Sequence, residues 1–367
     1  MEYQSEEQKR RVIRLQRVAT GLVKDDILTA YDKAYKEIRL ILLDEFSETL
    51  PLRKLNAITK EIAKITTQTV GAGWQNVTTE FNKVAELEAL FMQAIISEDL
   101  KLPPIEQITK AVNSAIMNLG STAGTWADFV NESIDDTANR YNSIIKSAWS
   151  QNQLTPDNPV TVNQMMKNIK TANAGINSRQ AETLVRTGIV HYSAQSRQYV
   201  AKRNKDVLER EVPLVVFDNR TSDTCIQISA TYFPKGWPVG ESPIGAPPYH
   251  FSCRTVILYL TKGQKLLDGK RAVTGGYSGK DAKEEYLKRK GNLRTKSKTT
   301  YRGKNDTVFE VEQVDANQTI DSFLKSQPRW FVEDTLGKKK ADLFLKGELS
   351  LKKLTDATGR TLPVSEL

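Results

Sequence analysis

Residues 218–258 begin Asp-Asn-Arg-Thr-Ser-Asp-Thr-Cys and end Pro-Pro-Tyr-His-Phe-Ser-Cys-Arg-Thr-Val-Ile-Leu. This stretch holds both cysteines of the 367-residue chain, Cys225 and Cys253, and one of its two histidines, His250. It is rich in proline, whereas the sequence on either side has mostly the periodicity of helices. We call residues 218–258 the signature segment, and its composition predicts a compact, turn-rich structural unit between helical regions.

Two runs of apolar and β-branched residues flank the cysteines and predict strands at 212–217 and 254–260. If these strands pair, the two ends of the signature segment lie side by side. Upstream, a proline-containing linker at 151–160 is followed by predicted helices at 162–172 and 178–204.

The first 150 residues carry apolar side chains at helical spacing, with Pro51 and the Pro103-Pro104 pair as boundaries. The predicted helices span 5–50, 55–70, 76–96, 105–118 and 123–150. Their modest apolar content suggests an elongated bundle that packs against another protein. Near the C-terminus the pattern predicts a strand at 307–314 and helices at 322–336 and 338–346.

The sequence therefore predicts an α+β fold that is mostly α, in four parts. These are an elongated helical region at 1–150, a small central α+β domain with few strands at 161–262, a basic flexible segment at 263–305 and a small C-terminal α/β tail at 306–367. No run of eighteen apolar residues occurs, so no membrane span is expected. The first residues lack the apolar core of a secretory signal, and two cysteines make no disulfide framework, so a reducing cytosolic origin is expected.

The net charge of +9 is concentrated in one place, since residues 262–304 contain fourteen Lys/Arg and four Asp/Glu. Basic side chains that neutralise phosphates give sequence-independent affinity for DNA, although such a segment also serves as a solvated linker. The candidate DNA contacts are Lys288, Arg289, Lys290, Arg294, Lys296 and Lys298.

Cys225, His250 and Cys253 allow three interpretations. Thiolates and imidazole are ligands that zinc prefers, and the fourth ligand of a structural zinc would come from His191, Asp218, Asp223 or no protein group. Alternatively, a Cys/His pair oriented by one of the two aspartates could act as a nucleophile and base in a hydrolase, or the set could serve a metal-dependent nuclease.

The third interpretation is that the segment is a structural brace. In that case both cysteines are small buried side chains, and His250 is a buried polar side chain whose hydrogen bonds are all made. An aspartate accepts hydrogen bonds from backbone N–H groups, and an arginine forms a bidentate ion pair with its carboxylate. The residues that would brace the turn are Asp218, Arg220, Thr221, Pro247, Pro248 and Arg254.

The order Asp-x-Arg-Thr-x-x-x-Cys, a Gly/Pro-rich loop, then Pro-Pro-x-His-x-x-Cys-Arg and a strand resembles the tailed-phage head-morphogenesis family, the minor head proteins with a Mu F-like domain. The resemblance covers residues 120–262, including an Arg186-Thr187 element. The pattern Gln327-Pro328, Leu336-Gly337, Phe344, Gly347 and Leu349-x-Leu351 is similar to the tail that follows this domain.

This resemblance implies a minor capsid protein that is made in the host cytoplasm and lies inside the virion head. Its expected partners are the portal protein and, as a further one, the major capsid protein. Such proteins act in head assembly and in packaging or ejection of DNA, with no established catalysis. Many members continue Cys-Arg-Cys, whereas this chain has Cys253-Arg254-Thr255. The resemblance therefore implies no enzyme, and either no cofactor or one structural zinc.

Overall fold

A computed structural model describes residues 11, 14–47, 49–264, 270–278, 300–302 and 307–367. The fold is α+β and mostly helical, as predicted. The helices are α1 (14–45), α2 (Leu52–Ile95), α3 (Ile105–Ser114), α4 (Trp126–Leu154), α5 (162–202), α6 (Asp223–Tyr232), α7 (Ile320–Ser326), α8 (Arg329–Leu336) and α9 (Lys338–Lys346). The strands are β1 (Met117–Leu119), β2 (Thr122–Gly124), β3 (Leu208–Leu214), β4 (Trp237–Pro238), β5 (Val256–Thr261), β6 (Lys270–Ser278), β7 (Thr300–Arg302) and β8 (Thr307–Asp315).

Helix α2 is a single helix of 44 residues, about 66 Å long at 1.5 Å per residue, so the predicted division into 55–70 and 76–96 is wrong. A Cβ atom at Gly73 would lie 2.8 Å from the Cβ of Ala30 on α1. The glycine therefore allows two helices to approach closely, and it does not end the helix.

Helix α5 is also continuous where two helices, 162–172 and 178–204, were predicted. A wider π-helical turn, Asn173–Asn177, joins its two parts, and Ser178 lies inside the helix without acting as a cap. The predicted helix 105–118 ends earlier, at Ser114, and the β1–β2 hairpin follows it. Thr125 then caps α4, with its hydroxyl accepting from the Asp128 N–H and the Asp128 carboxylate accepting from the Thr125 N–H.

The signature segment lies between β3 and β5, which pair antiparallel, so its ends meet, as expected for the case in which the two predicted strands pair. Both strands are displaced by a few residues from the predicted 212–217 and 254–260. The sequence pattern missed α6, because a ten-residue helix inside a proline-rich stretch shows little periodicity.

In the C-terminal part, β8 pairs with β6 and β7 in a three-stranded sheet. The prediction that 263–305 is flexible is therefore wrong for residues 270–278 and 300–302, which are strands. Arg271 and Val273 are buried on alternating positions, a two-residue period that the high Lys/Arg content obscured. The predicted helix 322–336 is instead α7 and α8, separated before Pro328.

Two large apolar clusters place the signature segment between the helices and the tail. The first joins side chains of α1 through α5 to β3 and β5, around the aromatic rings of Trp74, Phe81, Trp126 and Tyr192. The second joins Cys225 and Cys253 to the C-terminal helices. No helix in the described part of the chain is both long and apolar enough to cross a membrane. The four predicted domain boundaries stay a prediction.

Candidate metal centre

Cys225, His250 and Cys253 come together from the two ends of the signature segment. Ser222 is the N-cap of α6, and its hydroxyl accepts a hydrogen bond of 3.2 Å from the Cys225 N–H, which places this cysteine in the first turn of the helix. His250 and Cys253 lie on the loop before β5, where the Cys253 N–H donates to the His250 carbonyl at 3.1 Å. Pairing of β3 with β5 brings this loop beside α6.

The loop carrying two of these side chains is fastened to α5. Ser252 has a left-handed backbone conformation with φ of 58°. Its N–H donates to the Thr187 hydroxyl at 2.9 Å. Thr187 belongs to the Arg-Thr element of the sequence resemblance, so this element lies directly against the Cys/His loop.

The three side chains form a group that can hold one metal ion, since their ligand atoms all lie within 4.8 Å of one another. The two Sγ atoms are 3.8 Å apart. Two thiolates bound at about 2.3 Å to a tetrahedral zinc ion lie roughly 3.8 Å apart, so this spacing already suits the ion. The 3.1 Å between Cys225 Sγ and His250 Nε2 is shorter than the ideal of about 3.6 Å, and it would open slightly on binding.

Hydrogen bonding prepares His250 to act as a ligand through Nε2. Its Nδ1 lies 2.8 Å from the Phe251 carbonyl oxygen, so Nδ1–H donates to that oxygen and the other nitrogen faces the thiols. Burial opposes charge on the ring, but hydrogen bonding and the charge of Cys253 raise the pKa of His250.

The two thiols have different proton affinities. The hydrogen bond to Cys253, together with burial, raises the pKa of Cys225 well above its usual value. Burial also acts against ionisation of Cys253, yet hydrogen bonds from Cys225 and His250 hold the pKa of Cys253 well below its usual range. These shifts favour a thiolate at Cys253 and a protonated thiol at Cys225, and a metal ion would displace the Cys225 proton on binding.

Thr255 lies next to Cys225 at the edge of the cluster. Its hydroxyl lies 3.1 Å from Cys225 Sγ, and the residue is buried. The position at which this chain departs from Cys-Arg-Cys is therefore part of the site. A cavity of about 30 Å³ adjoins the cluster, bounded in part by His250 and Thr255. This volume holds about one water molecule.

The proposed fourth ligands His191 and Asp223 are not part of this group. His191 is wholly buried in α5 near the Val112 backbone, because its helix packs against α3. The Asp223 carboxylate instead forms an ion pair of 2.8 Å with Lys340 on α9. The third candidate, Asp218, is held by Arg254.

Asp218 and Arg254 form a two-pronged ion pair, with hydrogen bonds of 2.5 and 2.8 Å. Burial alone would raise the pKa of Asp218, but the bonded and charged Arg254 holds it below its usual value. The Arg220 N–H donates to the same carboxylate at 2.9 Å, and the Thr221 hydroxyl donates to the Val216 carbonyl at 2.6 Å. These bonds fix the turn that leads into α6.

The other predicted site residues have different positions. Pro247 and Pro248 are buried and joined by a cis peptide bond, and the Arg220 side chain is exposed beside the small cavity. All six candidate DNA contacts lie outside the described residues, namely Lys288, Arg289, Lys290, Arg294, Lys296 and Lys298.

Sequence reasoning missed the attachment of α6 to the C-terminal tail. Besides the Asp223–Lys340 ion pair, the Thr224 hydroxyl donates to the Gly359 carbonyl at 3.1 Å. The Thr355 N–H donates to the Gln227 side-chain oxygen at 2.7 Å. Ser222 followed by Asp223 is a recognisable helix start, and this signal could have located α6.

His191 gives a stability prediction, because burial lowers its pKa to about 4 and the nearby Val112 backbone offsets only part of that effect. The unfolded chain takes up a proton near pH 6.5 but the folded chain does not, so this residue makes stability fall as the pH drops from about 6.5 to 4. The full loss is about 3 kcal/mol. In His191→Leu, denaturant unfolding should lose this part of the pH dependence; an unchanged pH profile would contradict it.

Comparisons of the chain with protein-family models, with curated proteins and with solved structures found no match.

Proposed function

We propose that this chain is a minor head protein of a tailed phage, located inside the head near the portal and acting in assembly and in genome packaging or ejection. The Pro-Pro-x-His-x-x-Cys-Arg sequence and the preceding Asp-x-Arg-Thr-x-x-x-Cys carry the proposal. The portal protein is its main partner, with the major capsid protein as a further one. The basic residues of 263–305 contact packaged DNA without reading its sequence.

The burial of the reactive side chains supports a structural role over a catalytic one. Cys225 is 3 % exposed and Cys253 is 0 % exposed. A nucleophilic thiol must reach its substrate, and the adjoining cavity has room for only about one water molecule. A hydrolase that uses Cys225, His250 and an aspartate would need the whole segment to open first.

In this proposal the group holds one structural zinc ion that braces the protein. Two thiolates and an imidazole suit zinc, and the fourth ligand is the Thr255 hydroxyl or one water molecule from the adjoining cavity. The ion would tie α6 to the loop before β5. Because Asp223 and Gln227 of α6 also bind the C-terminal tail, the zinc ion would stabilise the helix to which that tail is attached.

Replacing Thr255 with cysteine is expected to tighten zinc binding by at least about tenfold, or 1.4 kcal/mol. The new thiolate would lie beside Cys225 and complete a Cys₃His set, which is a closed structural site. Competition titration with a chromophoric chelator measures the change. Thr255→Ser keeps the hydroxyl and should bind like the wild type. Equal affinity of Thr255→Cys and the wild type would exclude this position from the site.

The proposed function is tested on purified particles of the phage that encodes the chain. Quantitative mass spectrometry of virions and proheads should find the protein in few copies relative to the coat protein, and cross-linking should join it to the portal. Absence from both particles would overturn the proposal. The enzyme alternative would be favoured if the wild-type chain turned over a nuclease or hydrolase substrate and a folded His250→Ala variant did not.

A further inference from the structure

A groove runs between α4 and α5 on the face next to the Cys/His loop, with a volume of about 360 Å³. Residues from both helices line it at intervals of one turn, so it follows the helix axes. Phe129 and Leu184, both buried, lie at its floor, and Phe251 of the loop forms a wall. The groove is large enough for more than one large apolar side chain.

Phe251 is unusual in its setting, because it is 41 % exposed although the cysteine two residues later is fully buried. Its ring packs edge-on against Phe129, with ring centroids 6.0 Å apart. The loop backbone is held on both sides, by the His250 ring at the Phe251 carbonyl and by Thr187 at the Ser252 N–H. The aromatic wall is therefore presented to solvent by a fixed backbone, and a fixed apolar side chain is a suitable anchor for a partner.

The charges of the groove differ on its two sides. Glu132 and Asp136 lie one turn apart on the α4 side, both exposed, and neither makes an ion pair within the part of the chain that the structure describes. Arg179 is exposed on the α5 side. An acidic side, an apolar floor and a basic side together specify the charges that a bound segment should carry.

We propose that this groove binds an amphipathic helix of another protein. The helix inserts apolar side chains spaced by one turn against Phe129, Leu184 and Phe251. It places lysine or arginine towards Glu132 and Asp136, and an acidic residue towards Arg179. This is the helix-in-groove mode of recognition, and charge complementarity fixes the direction and register of the helix. The two carboxylates of the α4 side repel phosphate groups and so favour a protein over a nucleic acid as the occupant. The proposal does not depend on zinc.

The test uses the full chain and two fluorescein-labelled helical peptides, with binding followed by anisotropy. The first peptide has leucines along one face, lysines on one flank and glutamates on the other; in the second, the lysines are replaced by glutamates. The wild-type chain should bind the first peptide and discriminate against the second. Phe251→Ala should weaken binding by at least about tenfold, as expected for loss of a central aromatic anchor.

Charge reversal provides the decisive comparison. The double variant Glu132→Lys/Asp136→Lys should lose affinity for the first peptide and gain affinity for the second. Leu154→Ala is the matched control, because Leu154 is an 81 % exposed apolar residue on the same helix, about 27 Å along it from Asp136. Its affinity for both peptides should be that of the wild type. All of these variants change exposed side chains, so circular dichroism should show an unchanged fold.

Three results would overturn the proposal. The first is no binding of the lysine peptide by the wild-type chain at millimolar concentration. The second is equal binding by the wild type and the charge-reversed variant. The third is that the wild-type chain self-associates, that Phe251→Ala abolishes this association and that the peptide does not compete with it. This result would identify a second copy of this chain as the occupant.

Discussion

Removing the proposed zinc ion from the full chain is expected to lower its melting temperature by about 5–10 °C. An ion present at a thousand times its dissociation constant stabilises the folded state by about 4 kcal/mol, and a large chain loses only a few degrees per kcal/mol. The structural reason is that the proposed ion would join α6 to the loop before β5, and that two buried thiols and an imidazole would have to repack without it. Calorimetry before and after treatment with a zinc-selective chelator measures the shift.

The matched control is His250→Ala, whose melting temperature should already be low and should not respond to the chelator. Adding zinc back should restore the wild type alone. The opposite result would be a folded wild-type chain whose melting temperature is the same with and without the chelator. Cys225 and Cys253 would then be ordinary buried side chains that bind no metal.

Replacing Arg197 with methionine is expected to destabilise the chain by about 3 kcal/mol. The Glu88 carboxylate is fully buried between α2 and α5, and two guanidinium groups hold it, those of Arg197 and Arg11, each at 2.5 Å. Arg197 also lies over the Phe91 ring. Its loss leaves a buried carboxylate with one partner, and that partner is partly exposed. Urea unfolding at neutral pH measures the change.

Two comparisons separate charge from packing. The double variant Glu88→Gln/Arg197→Met should recover part of the loss, because no buried charge remains. Arg329→Met removes an arginine that pairs with Glu333 and Asp342 at the surface, and should lower the free energy of unfolding far less than Arg197→Met does. Equal losses for Arg197→Met and Arg329→Met would contradict the buried-charge explanation.

The sequence predicted the fold class, and the strand patterns on both sides of the signature segment indicated that its ends would meet if those strands paired. The sequence did not show that α2 and α5 are continuous, and it predicted a break inside each of them. Glycine ordinarily weakens a helix, and only the neighbouring Ala30 shows that Gly73 is there for close packing. Such a contact is 43 residues distant in sequence, and local patterns carry no information about it.

The three candidate ligands were identifiable from residue type and spacing, but their surroundings were not. His191 was a reasonable fourth ligand by chemistry, yet its helix turns it towards Val112 in the core. Asp223 follows the N-cap of α6 and faces a lysine 117 residues later. Thr255 was noted only as a missing cysteine, and the three-dimensional arrangement is what places its hydroxyl against Cys225.

The most direct test of the proposed brace is the zinc content of the full chain, purified under reducing conditions and measured by inductively coupled plasma mass spectrometry. The wild type should contain close to one zinc ion per chain, Cys253→Ala should contain almost none, and Leu154→Ala should match the wild type. A folded wild-type chain with no more zinc than Cys253→Ala would contradict a metal-clamped signature segment.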